Sequence, residues 1–217
     1  MTAEFDVDSS APVFYLSYAR PRPVLGDTRR DRPEHVRNLF FDLSEQVAEL
    51  VAPQAGQEPG FMDASLEGGG RWDDAILSAV GRCQVFVALL SPAYFRSQWC
   101  AMEWNAFARR RVQPHYAGAA GHDTNIVPVL WTPRVGDVPE PVSRVSAFVP
   151  TGLPGDYAAR YRENGLLGLL HTHQADVYHA VVWKLALRIR QQASASHVEP
   201  EVLRSTEGLA RSFGGDR

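Results

Sequence analysis

Residues 91–104, SPAYFRSQWCAMEW, bring together two tryptophans, a cysteine and a single glutamate, all side chains that can take part in chemistry. They follow an apolar run at residues 85–90, which predicts a buried strand. Ser97 has the residue type of a helix N-cap. On the helix predicted to follow it, Trp99 and Glu103 are four residues apart and share a face. An aromatic surface beside a lone carboxylate suits several kinds of ligand, and it also suits core packing.

The residues alone leave two interpretations of Glu103. It is either a carboxylate at a ligand site or an acid that forms an ion pair with an arginine such as Arg96 or Arg110, because most acidic side chains are solvated. Helical spacing turns Trp104 and Phe107 to another side of the helix, where they suit the core. The predicted strands and helices around this helix help to distinguish these two interpretations of Glu103.

Short apolar runs alternate with helical periodicity along the chain. Strands are predicted at residues 13–18, 60–63, 85–90, 125–131 and 145–149, and helices at 36–51, 73–80, 98–111, 157–170 and 176–192. The alternation predicts an α/β class, a flavodoxin-like three-layer sandwich with a five-stranded, mainly parallel sheet. In the usual strand order of that fold, ligands bind outside the carboxyl ends of the first and third strands. Residues 91–104 begin at such an end, which favours a ligand site at Glu103.

Length and composition exclude several classes of protein. A chain of 217 residues suits one domain. We predict a disordered N-terminus at 1–11, a domain at 12–192 and a polar, flexible tail at 193–217. A net charge of −3 gives no reason to expect nucleic acid or a membrane as partner, and no apolar run approaches the roughly 20 residues of a membrane helix. The N-terminus lacks a signal pattern, so we predict a cytoplasmic protein.

The cysteines and histidines do not form a recognisable reactive or metal-binding pattern. Cys83 and Cys100 are too few for a disulfide framework and lie in apolar segments, which predicts reduced thiols. Cys100 lies one turn before Glu103, but no partner base is evident, so we interpret it as a buried thiol rather than a nucleophile. His171 and His173 lack further clustered ligands, so we predict no metal site.

Three segments in order resemble the TIR (Toll/interleukin-1 receptor) domain family. FYLSYAR, at residues 14–20, is like the first box of the family. GFMD followed by SLEGGGRW resembles its second strand and BB loop, and SPAYFRSQWCAMEW resembles the segment that leads into its third helix. The resemblance covers about residues 12–192. More narrowly, GFMD, RW, YFRSQWC and IVPVLW look like FxsC, an actinobacterial TIR-like subfamily that accompanies a peptide-maturation system with a radical enzyme.

The resemblance implies chemistry on NAD as a substrate, with no cofactor. Many bacterial, plant and some animal TIR domains cleave the bond between nicotinamide and ribose. Their essential glutamate lies on the third helix, four residues after a tryptophan, and maps onto Glu103 and Trp99. Cleavage builds oxocarbenium character on the ribose, which a carboxylate stabilises. Nicotinamide leaves as a neutral group, so no general acid is required, and Trp99 can stack on a base.

Residues at the ends of the first two predicted strands are further candidates for substrate binding. Ser17 and Tyr18 end the first strand, where the Ser17 hydroxyl either bonds the ribose or satisfies the strand end. Arg20 can hold a phosphate, although Ala19 departs from the first box of the family. Asp63 ends the second strand and either lines the crevice or is a turn acid.

The resemblance also implies an interaction loop. The BB loop would be residues 64–71, ASLEGGGR, and includes Leu66, Glu67, Gly68, Gly69 and Gly70. Three consecutive glycines make a loop easy to move and costly to order. TIR enzymes usually work when two domains meet, so the expected partners are a second copy or another TIR domain.

Three functions remain open. The first is an NAD-cleaving TIR enzyme of a bacterial signalling or defence pathway. The second is a non-catalytic TIR module for protein–protein interaction, associated with an FxsC-type peptide-maturation system. The third is a related base-exchanging transferase. Glu103 is required by the first and third functions and is not forbidden by the second.

Overall fold

The structure, a computed structural model, describes residues 11–20, 31–53, 58–63, 74–115, 124–134 and 136–214. Its strands are β1 (Phe14–Tyr18), β2 (Gly60–Met62), β3 (Val85–Leu90), β4 (Val112–Pro114), β5 (Ile126–Leu130) and β6 (Ser196–Val198). Its helices are α1 (Asp31–Val51), α2 (Asp74–Arg82), α3 (Pro92–Phe95), α4 (Gln98–Ala108), α5 (Glu140–Ser143), α6 (Tyr157–His171) and α7 (Ala175–Ala195). In this part of the chain, no helix has both the length and the apolar character needed to cross a bilayer.

A parallel sheet with the strand order β2-β1-β3-β5 forms the centre of the molecule. Tyr15 of β1 lies opposite Phe61 of β2 and Phe86 of β3. Every residue of β3 is buried, as expected of a central parallel strand covered by helices on both faces. The predicted α/β class is therefore confirmed, and the carboxyl ends of β1 and β3 are neighbours as predicted.

The sheet separates two hydrophobic layers, because successive residues of a strand point to opposite faces. Phe14 and Leu16 of β1 pack with residues of α1, α6 and α7. Tyr15 belongs to the other layer, with residues of α2 and α4. The predicted three-layer sandwich is confirmed, and residues 15 and 17 of β1 face the layer that contains Glu103.

The sheet differs from the prediction in its number of strands. Residues 145–149 are not a strand, and the described residues form a parallel sheet of four strands rather than five. One hydrogen bond joins this segment to β5, from the Phe148 N–H to the Pro128 carbonyl (2.7 Å). Proline provides no N–H for a ladder and is found on edge strands, which suits the position of β5 at the edge of the sheet.

The C-terminal residues are also ordered against the core, so the prediction of a loose tail from residue 193 is wrong for the part that the structure describes. Helix α7 continues to Ala195, and β6 pairs antiparallel with β4. Leu209 and Phe213 are buried with α2 and α4. The polar composition of the segment concealed this packing, because a few widely spaced apolar residues carry it. Residues 1–10 lie outside the described residues.

Arg110 ties this C-terminal segment to the end of α2. Its buried guanidinium donates hydrogen bonds of 2.8–3.2 Å to the carbonyls of Val80, Cys83, Val198 and Glu199. Burial lowers the pKa of Arg110, and the neighbouring Cys83 opposes that shift. The alternative in which Arg110 neutralises Glu103 is therefore not the arrangement found.

Candidate functional site

Helix α4 places Glu103 against the sheet. The helix begins after Ser97, whose hydroxyl accepts the N–H of Cys100 (3.3 Å), so the predicted N-cap is confirmed. Trp104 and Phe107 are buried in the core as predicted, and Cys100 is a buried free thiol. Glu103 itself is only 8 % exposed. Because a helix that is apolar on most sides is buried on most sides, its one carboxylate also lies inside the protein.

Two hydroxyls from β1 hold the Glu103 carboxylate, one on each oxygen. The Tyr15 hydroxyl donates to Oε1 (3.0 Å), and the Ser17 hydroxyl donates to Oε2 (2.5 Å). The Ser17 Oγ also lies 3.0 Å from the Tyr94 hydroxyl of α3. When Glu103 is ionised, the single hydrogen of Ser17 points to the carboxylate, so Tyr94 is the donor in this last bond. Tyr15, Ser17 and Tyr94 are called the hydroxyl cluster below.

The hydrogens of the hydroxyl cluster favour an ionised Glu103. Burial and the charge of Glu103 raise the pKa of Tyr15, and burial raises the pKa of Tyr94, so both phenols keep their hydrogens. Each carboxylate oxygen therefore faces a donor. A protonated Glu103 could keep both contacts only if Ser17 turned its own hydrogen towards Tyr94.

Burial opposes this preference. It raises the pKa of Glu103 from 4.5 to about 7, against the lowering effects of the Ser17 and Tyr15 hydrogen bonds and of the Arg20 charge. Desolvation is the larger effect, as expected for a carboxylate among apolar groups. Both protonation states are therefore populated near neutral pH. A positive charge brought close to Glu103 would favour the carboxylate form.

Three other candidate residues form a neighbouring group at the carboxyl ends of β1 and β2. The Tyr18 hydroxyl donates to the Asp63 carbonyl (3.0 Å), and the Arg20 guanidinium forms an ion pair with the Asp63 carboxylate. Tyr18 packs with the α1 and α7 layer, on the face of the sheet opposite to Ser17. Arg20 connects this group to Glu103 electrostatically, since its charge lowers the pKa of Glu103.

Trp99 precedes Glu103 by one turn of α4, but the two side chains differ in burial. Trp99 is 36 % exposed, whereas Glu103 is almost fully covered. The shared face predicted from a separation of four residues therefore does not give the two side chains the same environment. A role for Trp99 in stacking on a ligand stays a prediction.

The sequence argument missed two members of the hydroxyl cluster, Tyr15 and Tyr94. Neither residue stands out in the sequence as a polar partner, and the rings of both pack in the core. A signal was nevertheless present in the FYLSY run. A buried tyrosine needs a partner for its hydroxyl, so Tyr15 in a buried strand implies a polar group in the layer that it faces.

A cavity of about 230 Å³ lies at the carboxyl ends of β3 and β5. Ser91 and Phe95 line it on the α3 side, and Leu130 and Val142 line it on the other. None of the described residues that line the cavity belongs to the hydroxyl cluster, and Glu103 does not line it either. This cavity and the buried carboxylate thus have no described lining residue in common.

The predicted interaction loop, residues 64–71 with Leu66, Glu67, Gly68, Gly69 and Gly70, lies outside the described residues. Its preceding residue is described: Asp63 is the ion-pair partner of Arg20. Across the described ranges, no group of three or more His, Cys, Asp or Glu side chains is arranged to hold a metal ion.

Comparison with known families identifies the domain. The family model of the TIR domain matches residues 40–162, from within α1 to within α6. The matched region contains Trp99, Glu103 and the whole cavity lining, but not β1 with Tyr15 and Ser17. No curated protein and no solved structure matches the chain. Since the family match covers more than half of the sequence, the chain belongs to the TIR-domain family.

Proposed function

We propose that this TIR-domain protein acts in a bacterial signalling or defence pathway by hydrolysing NAD at the bond between nicotinamide and ribose. The observation that carries the proposal is the position of Glu103. It is a buried carboxylate beside the carboxyl end of β1, with a hydroxyl donor on each oxygen. The carboxyl edge of a parallel sheet is where α/β proteins bind ligands.

The reaction needs one well-placed negative charge. The bond from the ribose C1′ to the nicotinamide nitrogen breaks, and its electron pair leaves with nicotinamide, which departs neutral. The ribose gains oxocarbenium character, which the Glu103 carboxylate would stabilise in a site shielded from water. Water then adds to C1′ and loses a proton, giving ADP-ribose, nicotinamide and a proton. A carboxyl with a pKa of about 7 is suited to accept that proton at neutral pH.

The burial of Glu103 sets a condition on this proposal. At 8 % exposure the carboxylate does not meet a ribose in the arrangement described. NAD binding would have to displace a neighbour of Glu103. Substrate-driven rearrangement of this kind is common where loops cover an active site.

The same burial favours a second candidate, a non-catalytic TIR module. A carboxylate whose two oxygens are both hydrogen-bonded is a satisfied buried group and does not need a substrate to explain it. The partner would be a second copy or another TIR domain. An association with an FxsC-type peptide-maturation system rests on the sequence motifs alone.

The test is to incubate the purified protein with NAD and separate the products by chromatography. We expect nicotinamide and ADP-ribose, or a cyclised form, in equal amounts. Glu103→Gln keeps the shape of the side chain and removes its charge, so we expect a loss of roughly 10²-fold or more. Glu163→Gln makes the same chemical change at an exposed position on α6 and should leave turnover unchanged.

A dilution series extends this test to the proposed self-association. If two domains must meet, specific activity should rise with protein concentration. NAD left intact at the highest concentration, with the protein folded, would favour the non-catalytic module. Activity that persists in folded Glu103→Gln would contradict the role of Glu103 but not the reaction itself.

A further inference from the structure

We propose that Tyr15 and Ser17 are positioning residues for Glu103, and that Tyr94 acts through Ser17 to hold it in place. The hydroxyl cluster would fix the plane and direction of the carboxylate before substrate arrives. The catalytic consequence of this inference rests on the proposed function, whereas the positioning itself does not.

The first support is the geometry of the hydrogen bonds. The terminal torsion of a glutamate is broad, so a carboxylate without partners rotates freely about it. Donors at 3.0 Å on Oε1 and 2.5 Å on Oε2 remove that freedom, because each oxygen has its own anchor. The Tyr94 hydroxyl, 3.0 Å from the Ser17 Oγ, in turn fixes the rotor of Ser17.

The second support is the rigidity of the elements that hold the donors. Tyr15 and Ser17 lie on β1, which pairs with β2 on one side and β3 on the other. The Tyr15 ring is stacked between Phe61 and Phe86, with centroids at 5.8 and 5.6 Å. Groups on a central strand are held more accurately than groups on loops. Strand β1 therefore holds the two donor hydroxyls in fixed positions relative to the Glu103 side chain of α4.

The third support is selectivity for one protonation state. A carboxylate can receive both β1 donors at once, whereas a protonated carboxyl could receive only one and would require Ser17 to turn its hydrogen towards Tyr94. The Ser17 and Tyr15 hydrogen bonds both lower the pKa of Glu103 and so oppose the effect of burial. The same bonds that aim the carboxylate thus keep a larger fraction of it charged at neutral pH.

Three conservative substitutions test the inference. Tyr15→Phe removes one hydroxyl and keeps the stacked ring, Ser17→Ala removes the second, and Tyr94→Phe removes the donor behind Ser17. Each should shift the acid limb of the pH profile of kcat to higher pH, by about one pH unit for the two direct donors. Tyr94→Phe should give a smaller shift. In all three variants, kcat should fall by a larger factor than KM rises.

A matched control and a rescue separate positioning from a general loss of stability. The control is Tyr178→Phe, which also removes a tyrosine hydroxyl that donates to a carboxylate. Tyr178 donates to Asp42 (2.8 Å) in the opposite layer of the molecule. This substitution should leave the pH profile unchanged. Ser17→Thr restores a hydroxyl at the same atom and should return the profile towards that of the wild type.

A second measurement does not depend on turnover. In protein labelled with ¹³C at the glutamate carboxyls, the Glu103 signal is the one that disappears in Glu103→Gln, and its titration gives the pKa directly. If NAD is not cleaved but Tyr15→Phe and Ser17→Ala raise this pKa, the proposed function fails and the positioning inference stands. If neither variant moves the titration, the inference is overturned, whether or not NAD is cleaved.

Discussion

The ring of Phe213 lies 5.5 Å from the ring of Tyr94, so the C-terminal segment reaches the hydroxyl cluster around Glu103. Phe213 also contacts Phe95 and Trp104, at centroid distances of 6.4 and 6.0 Å. Tyr94 is therefore held from two sides, by Ser17 through its hydroxyl and by Phe213 through its ring. The described part of the C-terminal segment therefore packs against the candidate site.

We predict that Phe213→Ala destabilises the fold and loosens the site. Removing a buried aromatic side chain costs about 3 kcal/mol, and the lost contact with Tyr94 should raise the pKa of Glu103 slightly. Urea unfolding and the carboxyl titration measure the two effects. Val202→Ala is a control on the same segment, because Val202 is 82 % exposed. An unchanged unfolding midpoint in Phe213→Ala would mean that the segment contributes nothing to stability.

The features that were predicted correctly from the sequence are those that depend on local patterns of apolar and polar residues. The apolar run at 85–90 predicted β3, and Ser97 predicted the start of α4. The helical spacing predicted that Trp104 and Phe107 are buried. Each of these inferences depends on residues within a few positions of one another. Local patterns were sufficient to predict the fold class and the helix on which Glu103 lies.

The features that were missed depend on contacts between distant parts of the chain. Tyr15 meets Glu103 across 88 residues, and Ser17 meets Tyr94 across 77. No period in the sequence encodes such pairs. The same reason explains Phe213, whose partners lie on α3 and α4. The apolar run at 145–149 led to the opposite error, the prediction of a strand that does not form. Its residue types favour a strand, but within the described part of the chain Phe148 provides its one backbone hydrogen bond to β5.

We predict that Glu103 makes the protein less stable as the pH rises. Its pKa is higher in the folded state, about 7, than the ordinary 4.5 of an unfolded glutamate. Between these values the folded protein binds more protons than the unfolded chain. The contribution of Glu103 to stability is therefore greatest below pH 4.5 and is lost as the pH rises through 7.

The size of this effect is on the order of 3 kcal/mol. Glu103→Gln does not titrate, so its free energy of unfolding should lack this decline between pH 4.5 and pH 7. Urea unfolding of both proteins at pH 5 and pH 8 makes the comparison. The same pH dependence in wild type and Glu103→Gln would show that the carboxyl titrates normally in the fold.

We predict that Arg110→Met destabilises the protein more than Arg109→Met. The Arg110 guanidinium donates to four carbonyls, three of them in buried hydrogen bonds, and its loss removes these donors, at a cost of about 1–3 kcal/mol for each carbonyl that is left unsatisfied where water cannot reach. Arg109 instead forms an exposed ion pair with Glu201 (2.7 Å), and such pairs contribute about 0–1 kcal/mol. Thermal melts of the two variants rank them, and equal melting temperatures would contradict the bracing role of Arg110.

The two tryptophans of α4 provide the last prediction, because one lies in the core and the other faces solvent. Trp104 is 4 % exposed and packs edge-on against Phe86 (6.2 Å), so Trp104→Ala should cost about 3–5 kcal/mol. Trp99 is 36 % exposed, so Trp99→Ala should melt close to the wild type. If Trp99 stacks on NAD, its loss should raise KM for NAD with little change in stability. Melting curves and KM measured on the same preparations separate the two roles. A Trp99→Ala protein that melts as low as Trp104→Ala would make Trp99 a core residue and remove it from the substrate site.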